Sequence, residues 1–524
     1  MSTVHDIVTH DVTLPGRLDA AMLERAAGVL HVGLSETARA ELERCRRFVD
    51  TVVADGHEVY GATTGFGPLV TYAGRDTAAG QCDNTLQHLT AGQGADLPVP
   101  VVRATVLARL ASLTRARSGV TPSVVDGLTA MLRTTFTPAV PTYGSVGASG
   151  DLVPLAYVAQ ALRGTGHAYV DGVRLPAAEA LRAAGLTPLE LDGRDALALV
   201  NGTSLTAATA GLAWRSIGRS LHTAAALSAL LADVLGSTTA FLDHRLLAAF
   251  GHAAAGEVGA RMTAMLDGTR PTGLRPLQEP YSVRCTPQLL GAATSAHRYA
   301  GGVVHDDLNG VSDNPLFFVD DEAVAHGGNF FGQPCSFVSD LLTTVAVQVG
   351  NLAERQLDLL VDPNRNTGLP PMLSPRPGVH HGVQGVQLAS TAIVAAMRRQ
   401  AVPASVQSLP TNLHNQDIVP FGTQAAQNAW ETARLLRHLQ GGLAVALRQA
   451  VHLRADRPTA PYCTGLADRL AEAIPPIEQD RPLDADVRLA ADVVDAHVAG
   501  AGMAEPCDPG GSGDVTAAAW NQGL

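Results

Sequence analysis

The chain has 524 residues, of which 46% are hydrophobic and 16% are charged, and its net charge is −12. This composition supports a large buried core, excludes an intrinsically disordered protein and disfavours nucleic-acid binding. The chain contains no lysine, which excludes a pyridoxal phosphate (PLP) Schiff base and an NTPase that uses a P-loop lysine.

The predicted elements are mostly helices after a short strand-like start. Ser35 and Gly56 are suited to cap a helix between them, while segment 59–74 is glycine-rich without a helical period and predicts a loop. Short strand signals lie at 168–175 and 316–321. Apolar residues recur at helical spacing over 76–138, 153–163, 175–187, 203–234, 238–267, 285–309, 336–362, 385–402, 423–454, 464–475 and 484–498. We therefore predict a mainly α fold with a long central helix bundle.

The chain divides into three predicted parts without a low-complexity linker. We expect an N-terminal region over 1–200, a helical bundle over 201–500 and a flexible tail over 501–524, which is rich in Gly, Ala and Pro. The six cysteines lack zinc spacing, and no apolar signal segment opens the chain. The least charged run, from Asp195 to Arg215, contains polar residues and predicts a buried helix. We expect a cytoplasmic protein that uses no metal and no membrane.

Segment 141-PTYGSVGASGDLVPLAY-157 places Ala148, Ser149 and Gly150 in a glycine-rich turn. A tight turn can press a glycine amide against a nearby carbonyl carbon, because glycine has no Cβ and tolerates strained backbone angles. The serine between them can then lose its hydroxyl as water. The product is a five-membered ring with an exocyclic methylene, an electrophile made from the protein alone. Taken by itself, an ordinary turn before a helix is the more common explanation.

Six further segments accompany GSVGASGDLVPLA in the chain. They are 59-VYGATTGFGPL-69, 198-ALVNGTS-204, 280-PYSVRCTPQ-288, 312-SDNPLFF-318, 326-HGGNFFGQP-334 and 405-SVQSLPTNLHNQD-417. Together and in this order they resemble the aromatic amino acid ammonia-lyase and aminomutase family over residues 25–495, and bacterial tyrosine ammonia-lyases above all. The resemblance implies that Ala148-Ser149-Gly150 cyclises to 4-methylidene-imidazole-5-one (MIO), without PLP or metal. It also implies a homotetramer whose sites are each built from three chains.

The resemblance also assigns the main catalytic roles. Tyr60 corresponds to the lid-loop tyrosine that removes the β-proton of the substrate. The pKa of a free phenol is near 10, so its charged form must be stabilised for that task. Tyr281 corresponds to a second tyrosine near the ring. Arg284 corresponds to the clamp on the substrate carboxylate, to which its planar guanidinium is suited.

Further side chains would surround the ring and the substrate. Asn201 and Gln416 are expected to donate hydrogen bonds there, and Asn314 to support Arg284 at the carboxylate end. Phe330 would pack on the ring, although a plain core position is equally open. Asp151 would assist ring formation, and it could also cap the helix that follows.

Segment 83-DNTLQHLTAGQG-94 carries the selectivity signal. His88 and Leu89 match the His-Leu pair of tyrosine ammonia-lyases, where phenylalanine lyases have Phe-Leu and histidine lyases Ser-His. A histidine can hydrogen-bond a phenol oxygen and disfavours a ring that lacks one, although a half-exposed helix histidine would look the same. Asn412 and Gln416 also match tyrosine-lyase positions. We predict conversion of L-tyrosine to p-coumarate and ammonia.

Some positions depart from the family pattern. Segment 251–280 is short, Glu279 replaces the usual Asp, Asp307 replaces the usual Glu, and Phe331 follows Phe330 where His or Met is common. These departures leave open a tyrosine aminomutase that makes a β-amino acid, a histidine or phenylalanine ammonia-lyase, and a non-catalytic scaffold. The GFGPL sequence of the lid loop favours a lyase over an aminomutase.

Overall fold

A computed structural model describes residues 10–61, 63–65, 67–72, 78–454 and 456–501. The predicted tail from residue 502 onward lies outside the described residues. The α-helices are α1 Ala20–Arg25, α2 Glu36–Ala54, α3 Ala78–Leu89, α4 Val99–Leu113, α5 Pro122–Leu132, α6 Leu152–Leu162, α7 Ala177–Ala183, α8 Asp195–Val200, α9 Ser204–Leu235, α10 His244–Phe250, α11 Ala253–Met265, α12 Tyr281–Arg284, α13 Thr286–Asn309, α14 Gln333–Val361, α15 Gln384–Gln400, α16 Gly422–Leu453, α17 Pro461–Ala473 and α18 Asp484–Gly500.

The strands are short and form small separate sheets. They are β1 His10–Leu14, β2 Leu30–Leu34, β3 Gln93–Asp96, β4 Thr137–Pro138, β5 Pro141–Tyr143, β6 His167–Val170, β7 Val173–Pro176, β8 Leu316–Phe318 and β9 Ala323–Ala325. β1 and β2 pair in parallel, whereas β3–β5, β4–β6–β7 and β8–β9 are antiparallel. The predicted mainly α fold is confirmed.

Helix α9 lies at the centre of the bundle and packs against α4, α13, α14, α16 and α18. Its apolar and small residues extend around the whole helix, which is the pattern of a helix buried on every side. The run 195–235 is long and apolar enough to cross a membrane by length and composition, and its apolar 18-residue window is entirely buried inside this fold. The division at residue 200 stays a prediction, and α4 packs against α9 across it.

The helices predicted over 203–234, 285–309, 336–362 and 423–454 match the structure to within three residues. The segment 76–138 is instead divided into α3, α4 and α5, with β3 between α3 and α4 and β4 at its end. Ser35 caps α2 as predicted, because its Oγ accepts the Ala38 N–H at 3.1 Å. The helix predicted over 238–267 is instead broken into short pieces. Asp243 starts a new helix there by accepting the Arg245 N–H at 2.8 Å. The helix predicted over 175–187 is shortened because Val173–Pro176 pairs as a strand with β6.

Three long helices begin around the 145–151 turn. The amide of Gly332, just before α14, donates to the Gly147 carbonyl at 3.1 Å, and the amide of Phe421, just before α16, donates to the Val146 carbonyl at 3.0 Å. In turn, the Asp151 amide donates to the carbonyl of Gly202, just before α9, at 2.8 Å. The positive ends of these helix dipoles therefore converge on this turn.

Candidate active site

The turn that carries Ser149 is held by close backbone contacts. Gly150 has φ of +69°, and a Cβ placed on it would lie 2.4 Å from the backbone nitrogen of Gly202. Only glycine fits this position, since both the conformation and the space exclude a side chain. The Gly150 amide donates to the Phe330 carbonyl at 2.8 Å. A planar ring that consumes the Gly150 amide and adds no side chain there fits this cradle.

Asp151 is fully buried and surrounded by donors from three segments. Its carboxylate accepts hydrogen bonds from Ser145 Oγ at 2.9 Å, from the Thr206 amide and hydroxyl at 2.9 Å each, and from Thr423 Oγ1 at 2.7 Å. Burial raises the pKa of Asp151, and these hydrogen bonds oppose that rise. The side chain does not cap α6, so the structure contradicts the helix-capping alternative.

The Ser149 hydroxyl faces the 411–416 segment. Gln416 Nε2 donates to Ser149 Oγ at 2.5 Å, and Gln416 Oε1 accepts a hydrogen bond from Thr411 Oγ1. The carboxamide is thus fixed at both ends and can support the departure of this hydroxyl. Asn412, predicted to bind substrate, is exposed and adopts a left-handed conformation with φ of +51°.

Asn201 and Asn314 form a buried pair behind the turn. Asn201 Nδ2 donates to the Asn314 backbone carbonyl at 3.0 Å, and Asn314 Oδ1 accepts the Gly327 amide at 2.8 Å. Asn201 Oδ1 is buried and has no hydrogen-bond partner among the residues that the structure describes. It is therefore available to a ligand amine or hydroxyl. Phe330 is half-buried in the same loop as Gly327.

Tyr60 lies in the predicted lid loop and is half-buried. Its hydroxyl oxygen accepts the Gly67 amide at 2.6 Å, and its own amide donates to His326 Nε2 at 3.5 Å. Burial raises the pKa of the Tyr60 phenol, and the Gly67 hydrogen bond opposes that rise. The short helical turn at Gly67–Leu69 lies beside the turn at Asn412–His414.

His88 and Leu89 end helix α3, which packs against α6 and α8. The same helix holds the lid loop, because Gln81 Nε2 donates to the Gly61 carbonyl at 3.0 Å. Leu89 is buried, whereas His88 is exposed. The His88 Nδ1–H donates to the Asn84 carbonyl at 2.9 Å, which orients the ring on the helix.

Tyr281 and Arg284 lie at the opposite end of the bundle from Ser149. Gln356 Nε2 links their helix α12 to α9, since it donates to the Ser282 carbonyl at 2.9 Å and to Ser228 Oγ at 2.7 Å. Ser228 lies six turns beyond Thr206, which is about 33 Å at the usual helical rise. Within one chain, the structure thus brings together the predicted residues around Ser149 but leaves Tyr281 and Arg284 far from them.

The exposed end of α12 has a distinct arrangement. The Arg284 guanidinium lies 4.7 Å from the centre of the Tyr281 ring, and Tyr281 is 71% exposed. Arg284 Nε is buried and has no hydrogen-bond partner among the described residues. Beneath it, Arg275 and Glu279 form a buried ion pair to which Ser237 Oγ donates at 2.7 Å.

Sequence reasoning missed several residues of the site. Ser145, Thr206 and Thr423 surround Asp151, although no local pattern marks them as a group. Asp307 was visible only as a departure from a family pattern. It accepts a hydrogen bond from Thr203 Oγ1 at 3.0 Å, and burial raises its pKa to about 6.

Three comparisons relate the chain to known proteins. A family model described as aromatic amino acid lyase matches residues 18–473. A histidine ammonia-lyase of Geobacillus kaustophilus is 36% identical over 84% of this chain and 88% of its own length. A tyrosine ammonia-lyase of Cereibacter sphaeroides is 38% identical over 88% and 93%. The crystal structure of a tyrosine aminomutase from Streptomyces globisporus superposes with a TM-score of 0.87 at 30% identity, over 93% of this chain and 97% of that one.

Proposed function

Since the chain belongs to the aromatic amino acid lyase family, we propose that it converts L-tyrosine to p-coumarate and ammonia. It is a carbon–nitrogen lyase with the ammonia-lyase-like fold of that family. The observation that carries the proposal is the Ser149 turn. Backbone hydrogen bonds hold this turn at the start of three long helices, and Gly150 packs closely against Gly202. An MIO ring formed there supplies an electrophile that makes the substrate amine a better leaving group.

The residues around Ser149 have defined tasks in this proposal. Asn201 Oδ1 offers an acceptor to the N–H groups of the substrate amine, and Gln416 Nε2 offers a donor beside Ser149. Asp151 keeps the turn compressed from beneath, since its carboxylate is held by α9 and α16. The Phe330 carbonyl accepts the Gly150 amide, and we assign the half-buried Phe330 ring to the wall of the proposed site.

Tyr60 is the proposed base for the β-proton. Its lid loop brings the phenol toward the site, and the Gly67 amide stabilises the phenolate by donating to its oxygen. Burial alone works against this role because it raises the pKa of the phenol. Closure of the lid over substrate would therefore have to add positive charge or further donors near the oxygen.

The substrate carboxylate requires a second copy of the chain. Arg284 and Tyr281 lie about 33 Å along the bundle from the Ser149 turn, which is far beyond the length of tyrosine. We therefore propose a homotetramer in which each site combines Ser149 of one chain with Arg284 of another. The exposed Tyr281 and the Arg284 Nε, which has no hydrogen-bond partner in the described part of the chain, support this arrangement.

His88 supports tyrosine as the substrate. The hydrogen bond from its Nδ1–H to the Asn84 carbonyl orients the imidazole ring, and a histidine side chain can hydrogen-bond a phenol hydroxyl. Gln416 also favours an aryl ring over imidazole, because a neutral carboxamide offers no charge to a protonated imidazole. The identities of 36% to a histidine ammonia-lyase and 38% to a tyrosine ammonia-lyase do not separate the two substrates.

A panel of L-tyrosine, L-phenylalanine and L-histidine tests the substrate. We expect the highest kcat/KM for tyrosine, with formation of a hydroxycinnamate absorbance. In the variant His88→Phe we expect preference to move toward phenylalanine by about 10- to 100-fold, the usual weight of one polar contact to substrate. A wild-type enzyme that prefers histidine or phenylalanine would contradict the assignment of His88.

A tyrosine aminomutase is the second candidate, and the fold shared with the Streptomyces globisporus aminomutase favours it. Chiral analysis of the products after long incubation distinguishes the two. Accumulation of β-tyrosine without free p-coumarate would replace the lyase by the aminomutase. The scaffold alternative predicts an unmodified mass and no turnover of any amino acid in the panel.

A further inference from the structure

One buried hydroxyl contacts both ends of the turn that carries Ser149. Thr423 Oγ1 lies 2.7 Å from Ser145 Oγ at the start of the turn and 2.7 Å from Asp151 Oδ1 at its end. We propose that Thr423 is a positioning residue for ring formation, which it promotes by holding these two ends together. The inference rests on the proposed function, because it concerns the origin of the ring that this function uses.

The contacts around Thr423 form a closed triangle. Ser145 Oγ donates directly to Asp151 Oδ1 at 2.9 Å, which completes the third side. The three side chains are 4%, 0% and 2% exposed for Ser145, Asp151 and Thr423, so water does not compete for these hydrogen bonds. Thr206 Oγ1, 3.1 Å from Thr423 Oγ1, joins the same group from α9.

The single hydrogen of Thr423 can serve either partner. A hydroxyl has one donor hydrogen, so Thr423 donates to Asp151 or to Ser145 at any moment. When it donates to Ser145, Ser145 donates onward to Asp151, and the turn remains closed in both arrangements. Thr423 is the second residue of the 32-residue helix α16, so the clamp is anchored to a rigid element.

Ring closure needs such a clamp because it competes with an existing hydrogen bond. A new bond forms between Gly150 N and the carbonyl carbon of Ala148, yet the Gly150 amide is bonded to the Phe330 carbonyl. The amide hydrogens of Gly150 and Ser149 leave with the Ala148 oxygen as one water. The Cα hydrogen and the hydroxyl of Ser149 leave as a second water. The balance requires no oxidant, so the rate depends on how closely the turn holds the reacting atoms.

The loss of two waters gives a readout independent of activity. We would follow intact mass against time after synthesis for the wild type, Thr423→Val and Thr423→Ser. Valine keeps the shape of threonine without its hydroxyl, and we expect dehydration on the order of a hundredfold slower, the usual cost of misplaced reacting groups. Serine keeps the hydroxyl, and we expect it to restore dehydration to near the wild-type rate.

Thr432→Val is the matched control on the same helix. Thr432 is fully buried and donates to Gln400 Oε1 at 2.7 Å, nine residues from Thr423. We expect this variant to dehydrate like the wild type. Thermal unfolding of each variant checks that the fold is kept. If Thr423→Val does not fold, Ser145→Ala removes the other partner, and we expect it to retard dehydration in the same way.

Two outcomes would overturn the role of Thr423 alone. One is wild-type dehydration of a folded Thr423→Val chain. The other is a Thr423→Ser chain as slow as the valine variant, since the hydroxyl would then not be responsible. A wild-type chain that keeps its full mass would instead refute the proposed function itself.

Discussion

The two ends of the helix bundle differ in how completely their functional groups are buried and hydrogen-bonded. At the end where α9, α14 and α16 begin, Asp151 and the Ser149 turn are enclosed by donors from their own chain. At the opposite end, α12 presents an exposed Tyr281 and an Arg284 nitrogen without a partner among the described residues. In the proposed function, the first end prepares the electrophile from its own chain, whereas the second end serves the site of another copy.

The largest expected effect comes from two variants that each carry one substitution, one at each end of the bundle. Ser149→Ala removes the proposed source of the electrophile and Arg284→Ala removes the proposed carboxylate clamp, so we expect each variant alone to be inactive. Unfolding and refolding the two variants together should restore about a quarter of wild-type activity. Random mixing combines an intact Ser149 from one chain with an intact Arg284 from another in about one site in four. Activity assays of the mixture against each variant alone measure this recovery.

The mixing experiment also has a clear contrary result. If Ser149 and Arg284 had to come from the same chain, no mixed oligomer would contain an intact site and the mixture would stay inactive. A mixture of Ser149→Ala with itself, treated identically, is the control for activity gained by refolding alone.

Removing the proposed base should have the next largest effect. We expect Tyr60→Phe to lower kcat by about 10²- to 10⁴-fold, the usual contribution of a general base. Because burial raises the pKa of Tyr60, the phenolate fraction and therefore kcat of the wild type should increase with pH across the neutral range. The phenylalanine variant should lose that increase.

Tyr72 provides the control for Tyr60. It belongs to the same loop and its side chain is exposed. Its backbone carbonyl accepts the Gly65 amide and its backbone amide donates to the Leu69 carbonyl, and neither bond involves the phenol. We expect Tyr72→Phe to keep wild-type kcat and pH dependence. Equal losses in the two variants would mean that the loop, and not the Tyr60 hydroxyl, is responsible.

The buried pair beneath α12 should affect both stability and substrate affinity. Glu279→Gln leaves Arg275 buried without its counter-charge, a change that typically costs about 3–5 kcal/mol. We expect a lower free energy of unfolding and a higher KM for tyrosine, because Glu279 lies two residues before α12, the helix that carries Arg284. Denaturant unfolding and steady-state kinetics measure the two effects.

An exposed ion pair is the comparison for Glu279. Asp126 pairs with Arg39 on the surface, where both side chains are about half exposed. We expect Asp126→Asn to cost less than about 1 kcal/mol and to leave KM unchanged. A Glu279→Gln variant as mild as this one would show that the buried pair does not position α12.

The smallest effect concerns Asp307 near the Ser149 end. Burial raises its pKa from 3.8 to about 6, so the folded chain binds this proton more tightly than the unfolded chain. Wild-type stability should therefore fall as pH rises from about 4 to 6. Asp307→Asn should be more stable than the wild type by up to about 3 kcal/mol at pH 7 and equally stable at pH 3.5. Denaturant unfolding at the two pH values measures this difference. The control Asp306→Asn changes the exposed neighbouring residue and should leave the stability unchanged at both pH values.

The long helices could be predicted from the sequence because their patterns are strong. The predicted segments 203–234 and 423–454 differ from α9 and α16 by one residue at each end. The break between α10 and α11 was missed, because the apolar spacing continues through it while Gly251, with φ of +80°, ends α10. Periodicity reports which face is buried and is insensitive to a short interruption.

The candidate site was predictable only in part. The motifs identified Ser149, Gln416 and Asn201, which the structure brings together. They could not indicate that Thr423 contacts Asp151, since 272 residues separate them and no local pattern encodes that contact. The separation of Arg284 from Ser149 likewise depends on the length of α9, a property of the folded bundle.

The hydrogen bonds around the Ser149 turn also have a consequence for the life history of the enzyme. All of the described groups that hold this turn belong to one chain, whereas the carboxylate clamp lies about 33 Å away along the bundle. In the proposed function, dehydration therefore needs no group from the Arg284 end of another copy. Chemical maturation and assembly would then be two separable stages of biogenesis, and a dehydrated but catalytically inactive monomer is the expected intermediate between them.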